Sequence, residues 1–349
     1  MITRDVVIFI LVTCLLLIIV EGLSSAAIAS FQMLQDDTPH EVSQYDEYLG
    51  WTGIPNTYIP DMYGPGKFVR TNLRGFRNED EFEITEPASK IRIICSGDSF
   101  TYGQGVANND TWCHLITEHN DRLETVNMAL PGYGVDQMYL RYLRDGTGIE
   151  HSIHIFAFIV GDLVRMAFKD QHEYGKPVMR IDEGALVVDN VPVPRWRWAI
   201  SRLLSRADFR VVDIAKRVTK RWEQHEAGTP STIVRIGPVA LKIFESIRQK
   251  CAAMNVVPVF VFLPTESDLR KEHSWHRWVI ANMDALDLSF VDLTPALLAV
   301  PTGRAASFFI APGEQAAGHY TEAGNKWAAG VLYESLMAIP QIKAQLAEK

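Results

Sequence analysis

At 349 residues, with 47% hydrophobic and 22% charged side chains, the chain is long enough for one α/β core carrying an insertion. A formal net charge of −8, with no interleaved basic and aromatic array, argues against a nucleic-acid-binding surface. Four cysteines without a Cys-x-x-Cys pair do not make a disulfide scaffold and lend no support to zinc or redox chemistry, so single buried thiols are expected.

In chain order, the first feature is an apolar run from Val6 to Val20, interrupted only by the small polar Thr13 and preceded by Arg4. A signal peptide would use this run as its apolar region and Ala27-Ile28-Ala29 as the cleavage site. A signal anchor would extend the span through Gly22–Phe31, with Glu21 near the outer edge of the bilayer. Either way, Arg4 on the cytoplasmic side places the folded part outside the inner membrane. A buried core helix in a cytosolic protein is the third reading.

Residues 32–88 form a lead-in, Pro/Gly/Asp-rich from Asp36 to Gly66, which reads as an irregular strap over the sheet edge. Residues 89–340 then alternate in period. Strands are predicted at Ile91–Ser96, Glu124–Ala129, His154–Val160, Val257–Leu263 and Ser289–Asp292. Helices are predicted at Thr111–Asn120, Val135–Asp145, Gly237–Met254, His273–Asp284 and Thr321–Ala338. This alternation implies parallel βαβ units with helices on both faces, a three-layer α/β/α sandwich. An insertion at about 170–235 begins with a hairpin, Pro177–Val188, turning at Asp-Glu-Gly. It continues as a basic helix, Arg195–Trp222, with Trp196, Trp198 and Trp222 among its charges. That helix reads as a solvated face, a lid, or a segment lying on anionic lipid.

Ser99 falls on the turn after the first strand, within Gly97-Asp98-Ser99. There its hydroxyl is exposed at the carboxyl edge of the sheet, and helix N-terminal amides can support a developing negative charge. A serine hydroxyl needs an adjacent base, and His319, after the loop Ala311–Gly318, is the candidate. His273 and His276 share a helix face at metal-like spacing without a third ligand, so no metal site is expected. His114 and His119 read as helix-surface or core residues. Asp98 reads as fixing the turn, and Trp112 and Tyr133 as core or pocket-lining aromatics.

Three segments in order, Gly97-Asp98-Ser99, Val126–Gln137 with Gly132, and Gly318–Asn325 with His319, resemble the blocks of the SGNH (GDSL-type) hydrolase family. The resemblance spans about residues 45–335, apart from the insertion. Tyr45–Trp51 and Thr71–Arg77 resemble the lead-in of its membrane-anchored, extracytoplasmic branch. It implies a serine esterase, or a related acyltransferase, with Ser99 as nucleophile and His319 as base. It further implies an oxyanion site from the Ser99 and Gly132 amides and a third-block asparagine, with no cofactor. Asn127 would bond backbone within the oxyanion loop. The anchor reading is then preferred: residues 1–31 as a single-pass inner-membrane helix, the catalytic domain periplasmic or extracellular. The expected substrate is an acylated small molecule or polysaccharide, with O-acyl groups of a carbohydrate preferred. A non-catalytic glycan- or partner-binding domain and a lipid-directed lipase are the alternatives.

Two positions depart from the family pattern. The third block should read like Gly-x-Asn-Asp, but the chain has Phe158-Ile-Val-Gly-Asp-Leu163, which puts Gly161 or Asp162 at the asparagine position. Asp162 reads either as part of the oxyanion site or as a structural hydrogen-bonding residue. The acid expected two or three residues before His319 is replaced by Ala317 and Ala316. Glu314 is the first candidate in its stead, a dyad oriented by a backbone carbonyl the second, and Glu322 the other nearby carboxylate.

Overall fold

A computed structural model describes residues 4–34, 42–171, 174–196, 230–270 and 273–348. In it five apolar runs pair in parallel: β1 (Ile91–Ser96), β2 (Leu123–Asn127), β3 (Ile153–Phe158), β4 (Val257–Phe262) and β5 (Phe290–Asp292). Their order across the sheet is β2-β1-β3-β4-β5. The winding direction therefore reverses between β1 and β3, and a crevice opens beyond the carboxyl ends of those two strands. The predicted strands match these within two residues.

Alternate residues of each strand feed opposite layers. Ile94, Phe156, Phe158, Phe260 and Phe262 point to one face, where Phe244 and Trp275 cover them. Ile93, Ile155, Val259 and Val261 point to the other, against Trp112, Ala328 and Leu332. Burial on both faces is what makes these strands unbroken hydrophobic runs rather than alternating ones. The result is the three-layer α/β/α sandwich.

Seven helices matter below: α1 (Arg4–Leu34), α2 (Ser99–Tyr102), α3 (Val135–Arg141), α4 (Val160–Arg165), α5 (Pro230–Ala253), α6 (Ser274–Ala285) and α7 (Glu322–Ala338). Helix α1 contains a 20-residue window, Arg4–Leu23, of mean hydropathy 3.0, none of it buried against the rest of the described chain. At 1.5 Å per residue it is about 30 Å long, enough to cross a bilayer. A signal sequence near the N-terminus has the same properties, so α1 is compatible with both earlier readings. Helix α5 starts at Pro230, earlier than the predicted Gly237, and runs through Pro238. Gly237-Pro238 resembles a stop signal, but the glycine is there for packing: a Cβ on it would fall 2.7 Å from the Trp278 ring of α6.

The lead-in is more regular than expected. Two antiparallel pairs, Ser43–Asp46 with Gly50–Gly53 and Tyr58–Ile59 with Val69–Arg70, were missed because such short strands show no periodicity. The predicted hairpin of the insertion is present as Val178–Asp182 with Ala185–Asp189. It closes on Glu183 and Gly184, both at positive φ (47° and 80°), as a type I′ turn requires. Of the predicted basic helix, Arg197, Trp198, Arg202, Arg206, Arg210, Lys216, Arg217, Lys220, Arg221 and Trp222 lie outside the described residues.

Candidate active site

Ser99 is placed by a turn that only its neighbours permit. A Cβ on Gly97 would fall 2.0 Å from Thr101 Oγ1, so the strand can pass into α2 here only at glycine. The Asp98 carboxylate then caps α2, accepting the Phe100 amide at 2.9 Å, and Gly103 ends the helix at φ 82°. Ser99 is the first residue of the helix, and its amide has no acceptor among the described residues. Arg77 grips the far end from the lead-in. Its buried guanidinium donates to the carbonyls of Tyr102, Gly103 and Val106 at 2.6 Å each and to Asn108 Oδ1 at 3.0 Å.

His319, 220 residues away in sequence, meets the serine: Nε2 lies 2.8 Å from Ser99 Oγ. Its other ring nitrogen, Nδ1, lies 2.9 Å from the Ala316 carbonyl. A carbonyl only accepts, so Nδ1 carries the hydrogen and the Nε2 lone pair faces the serine hydroxyl. Asp98 Oδ2 lies 3.3 Å from the same hydroxyl. The single hydrogen of Ser99 goes to the shorter partner, the imidazole. The Phe100 ring packs on the imidazole at a centroid distance of 4.9 Å. Burial pulls the His319 pKa below the ordinary histidine value, against the opposing pull of the Ala316 carbonyl and Asp98.

Glu314 does not orient the imidazole. It is exposed, and the Nδ1 position is taken by Ala316, whose backbone at φ 63° turns its carbonyl back over the ring. Glu322 is also exposed and pairs with Lys67 at 3.8 Å. The arrangement is the Ser–His dyad held by a backbone carbonyl.

Gly132 sits in the loop after β2 at φ 81°, a conformation that favours glycine, and its amide has no acceptor among the described residues. Gly161, in the first turn of α4, brings no side chain. Asp162 is not an oxyanion donor. Its carboxylate is fully buried; one oxygen accepts the Ile159 amide at 2.9 Å and the other bonds Arg165. Burial, reinforced by the neighbouring Asp98, pushes its pKa well above the usual carboxylate range. Asp162 is thus the structural residue of the two alternatives.

Arg165 was not singled out in the sequence, although Asp162 three residues earlier on a helix is a spacing that predicts a pair. Its Nη1 donates to Asp162 Oδ1, to Asp98 Oδ2 at 3.2 Å and to the Tyr133 carbonyl at 2.9 Å. One nitrogen thereby ties together the turn after β1, the loop after β2 and the helix after β3. The two carboxylates outweigh burial and hold the guanidinium pKa above its ordinary value.

The remaining candidates lie elsewhere. Asn127 accepts the Ala129 amide at 3.1 Å, within the loop that carries Gly132. Trp112 and Tyr133 are fully buried core residues. His276 bonds Asp292 at 2.9 Å and His273 bonds Ser267 at 3.1 Å, so the two imidazoles serve different partners. His119 stacks on Tyr333 and His114 is exposed. The described cysteines are free thiols, Cys14 exposed on α1 and the other three buried.

No family model and no curated protein sequence matches the chain. Several solved structures are similar to it. One is a member of the lipolytic G-D-S-L family from Veillonella parvula, 12% identical, covering 71% of this chain and 100% of its own, with a TM-score of 0.41. A lipase/acylhydrolase from Enterococcus faecalis is 12% identical, covers 71% and 96%, and scores 0.41. The acetyl xylan esterase AlAXEase is 14% identical, covers 70% and 100%, and scores 0.40. Likenesses this distant carry neither the fold nor the chemistry, which stand on the strand order and on the contact between Ser99 and His319.

Proposed function

We propose that the chain is a serine ester hydrolase, with Ser99 as nucleophile and His319 as general base. The observation that carries this reading is the 2.8 Å contact between Ser99 Oγ and His319 Nε2, with the tautomer set by Ala316. In the first half-reaction the Ser99 oxygen bonds the acyl carbon and its proton passes to Nε2. The amides of Ser99 and Gly132 face the oxyanion, and Nε2 returns the proton to the departing alkoxide. In the second half-reaction water attacks the acyl-serine by the same route; a sugar hydroxyl in place of water would make the enzyme an acyltransferase.

Action outside the cytoplasmic membrane is supported by Arg4 ahead of the apolar helix α1, which we read as an uncleaved anchor. The preferred substrate, O-acyl groups of a carbohydrate, follows from the resemblance of the blocks and lead-in to the membrane-anchored branch of the SGNH family.

The test is labelling of the full-length, detergent-solubilised chain with a fluorophosphonate, which reports an activated serine whatever the substrate. Wild type is expected to label, and Ser99→Ala and His319→Ala to lose labelling while keeping the wild-type melting temperature. A folded wild type that does not label would leave a glycan- or partner-binding domain, the reading that the missing acid and asparagine favour.

A further inference from the structure

The geometry points to Arg165 as the third donor of the oxyanion site, its guanidinium standing where a third-block asparagine amide would stand. This rests on the esterase reading above. A Cβ on Gly161 would lie 3.6 Å from Arg165 Nη2, so the guanidinium occupies the space into which a side chain at position 161 would extend.

Structural arginine–carboxylate pairs frequently use the guanidinium fork bidentately. Here both carboxylates and the Tyr133 carbonyl converge on Nη1 alone. Nε and Nη2 have no acceptor among the described residues and are not enclosed, and the side chain is 18% exposed. Three N–H donors therefore remain on a group that is otherwise fixed. The guanidinium that carries them is close to the chemistry: its Nη1 at 3.2 Å and Ser99 Oγ at 3.3 Å share one oxygen of Asp98.

Charge is consistent with this role. A guanidinium stays protonated in a protein. Asp162, pushed upward by burial and by Asp98, holds its proton more tightly than an ordinary carboxylate, so the cluster is not driven to a net negative charge beside the oxyanion. Donors fixed before the reaction and aimed at developing charge are what stabilise a tetrahedral intermediate.

Arg165→Lys separates the two roles, because an ammonium can still pair with Asp98 and Asp162 but presents no Nη2. The full-length chain is assayed on p-nitrophenyl acetate, a neutral ester. Arg165→Lys and Arg165→Gln are expected to lower kcat by roughly 10²–10³-fold with KM little changed. Adding Gly161→Asn to either variant should restore at least about tenfold of that loss, since it returns an amide donor. A Cβ at position 161 meets the flexible end of Ile159 at 3.3 Å and, at 3.6 Å, Arg165 Nη2, which neither variant carries. Where Arg165 variants melt early, this rescue decides the matter, because Gly161→Asn touches no contact of Asp98 or Asp162. Retained kcat in Arg165→Lys, an effect on KM alone, or no rescue would overturn the assignment. Failure of the esterase reading looks different: wild type itself would neither label with fluorophosphonate nor turn over the ester.

Discussion

At the scale of single residues, the substitution of a backbone carbonyl for a carboxylate defines the chemistry open to His319. In a full triad the acid fixes the tautomer and stabilises the imidazolium, and loss of the correct tautomer accounts for much of the damage when the acid is removed. Ala316 performs the first task without the second. Burial meanwhile lowers the imidazole pKa, which makes it a weaker base but one that stays neutral further into acid. In the proposed mechanism the base is the neutral imidazole, so activity would be lost as pH falls through the lowered value. We expect the acid limb of kcat/KM on p-nitrophenyl acetate to fall below the ordinary histidine value of 6.5. Glu314→Gln should leave both the rate and that limb unchanged. A limb at or above the ordinary value, or one that moves in Glu314→Gln, would mean that a carboxylate reaches the ring in solution.

At the scale of elements, the turn that carries Ser99 depends on a segment outside the sandwich. Helix α2 has four residues, too few to hold itself together, and the Tyr102, Gly103 and Val106 carbonyls at and beyond its end are satisfied by Arg77 from the lead-in. The same segment meets the Gly132 loop, where Trp51 Nε1 donates to the Pro131 carbonyl at 3.1 Å and Tyr133 donates to the Trp51 carbonyl at 2.6 Å. Removing the guanidinium strands buried acceptors, each costing about 1–3 kcal/mol. Arg77→Met is therefore expected to destabilise the chain by at least about 3 kcal/mol. The loss is read by chemical denaturation, with labelling of the folded fraction reduced because the turn loosens. A change below about 1 kcal/mol would show that water replaces the arginine.

That dependence also marks what the sequence made legible. The sheet strands were readable because burial on both faces turns them into unbroken apolar runs, and the meeting of Ser99 with His319 was readable because their motifs are local. Arg77, Arg165 and the Ala316 carbonyl were not. Each acts mainly through contacts between segments distant in sequence or through a backbone atom, which leave no mark on periodicity or spacing; the one local trace was the i,i+3 spacing of Asp162 and Arg165. Glu314 was preferred because proximity in sequence favoured a carboxylate, while the left-handed backbone at Ala316 that decided the matter has no side-chain signature.

At the scale of the whole molecule, one face of the sheet carries a buried polar seam that ties stability to pH. His154 on β3 lies 2.9 Å from Ser96 Oγ, stacks on Tyr142 at 3.6 Å and approaches Cys251 Sγ at 3.8 Å. His151 continues the seam through the Tyr142 hydroxyl at 2.9 Å. Burial lowers the pKa of both, His154 further because His151 adds to it. The unfolded chain takes up protons at these residues near pH 6.5, while the folded chain refuses them until lower pH. Stability from this source is thus full above about pH 6.5 and falls with pH down to the lowered values. Asp136 and Asp162, both raised, act in the opposite sense, because the folded chain binds their protons first as pH falls. Comparing wild type with His154→Gln removes that shared background, since glutamine keeps a partner for Ser96 and does not titrate. Over the pH unit below about 6.5, unfolding free energy should fall less steeply in the variant, by up to about 1.4 kcal/mol per pH unit. Parallel slopes would show that the folded interior accepts the His154 proton, with the seam rearranging around an imidazolium.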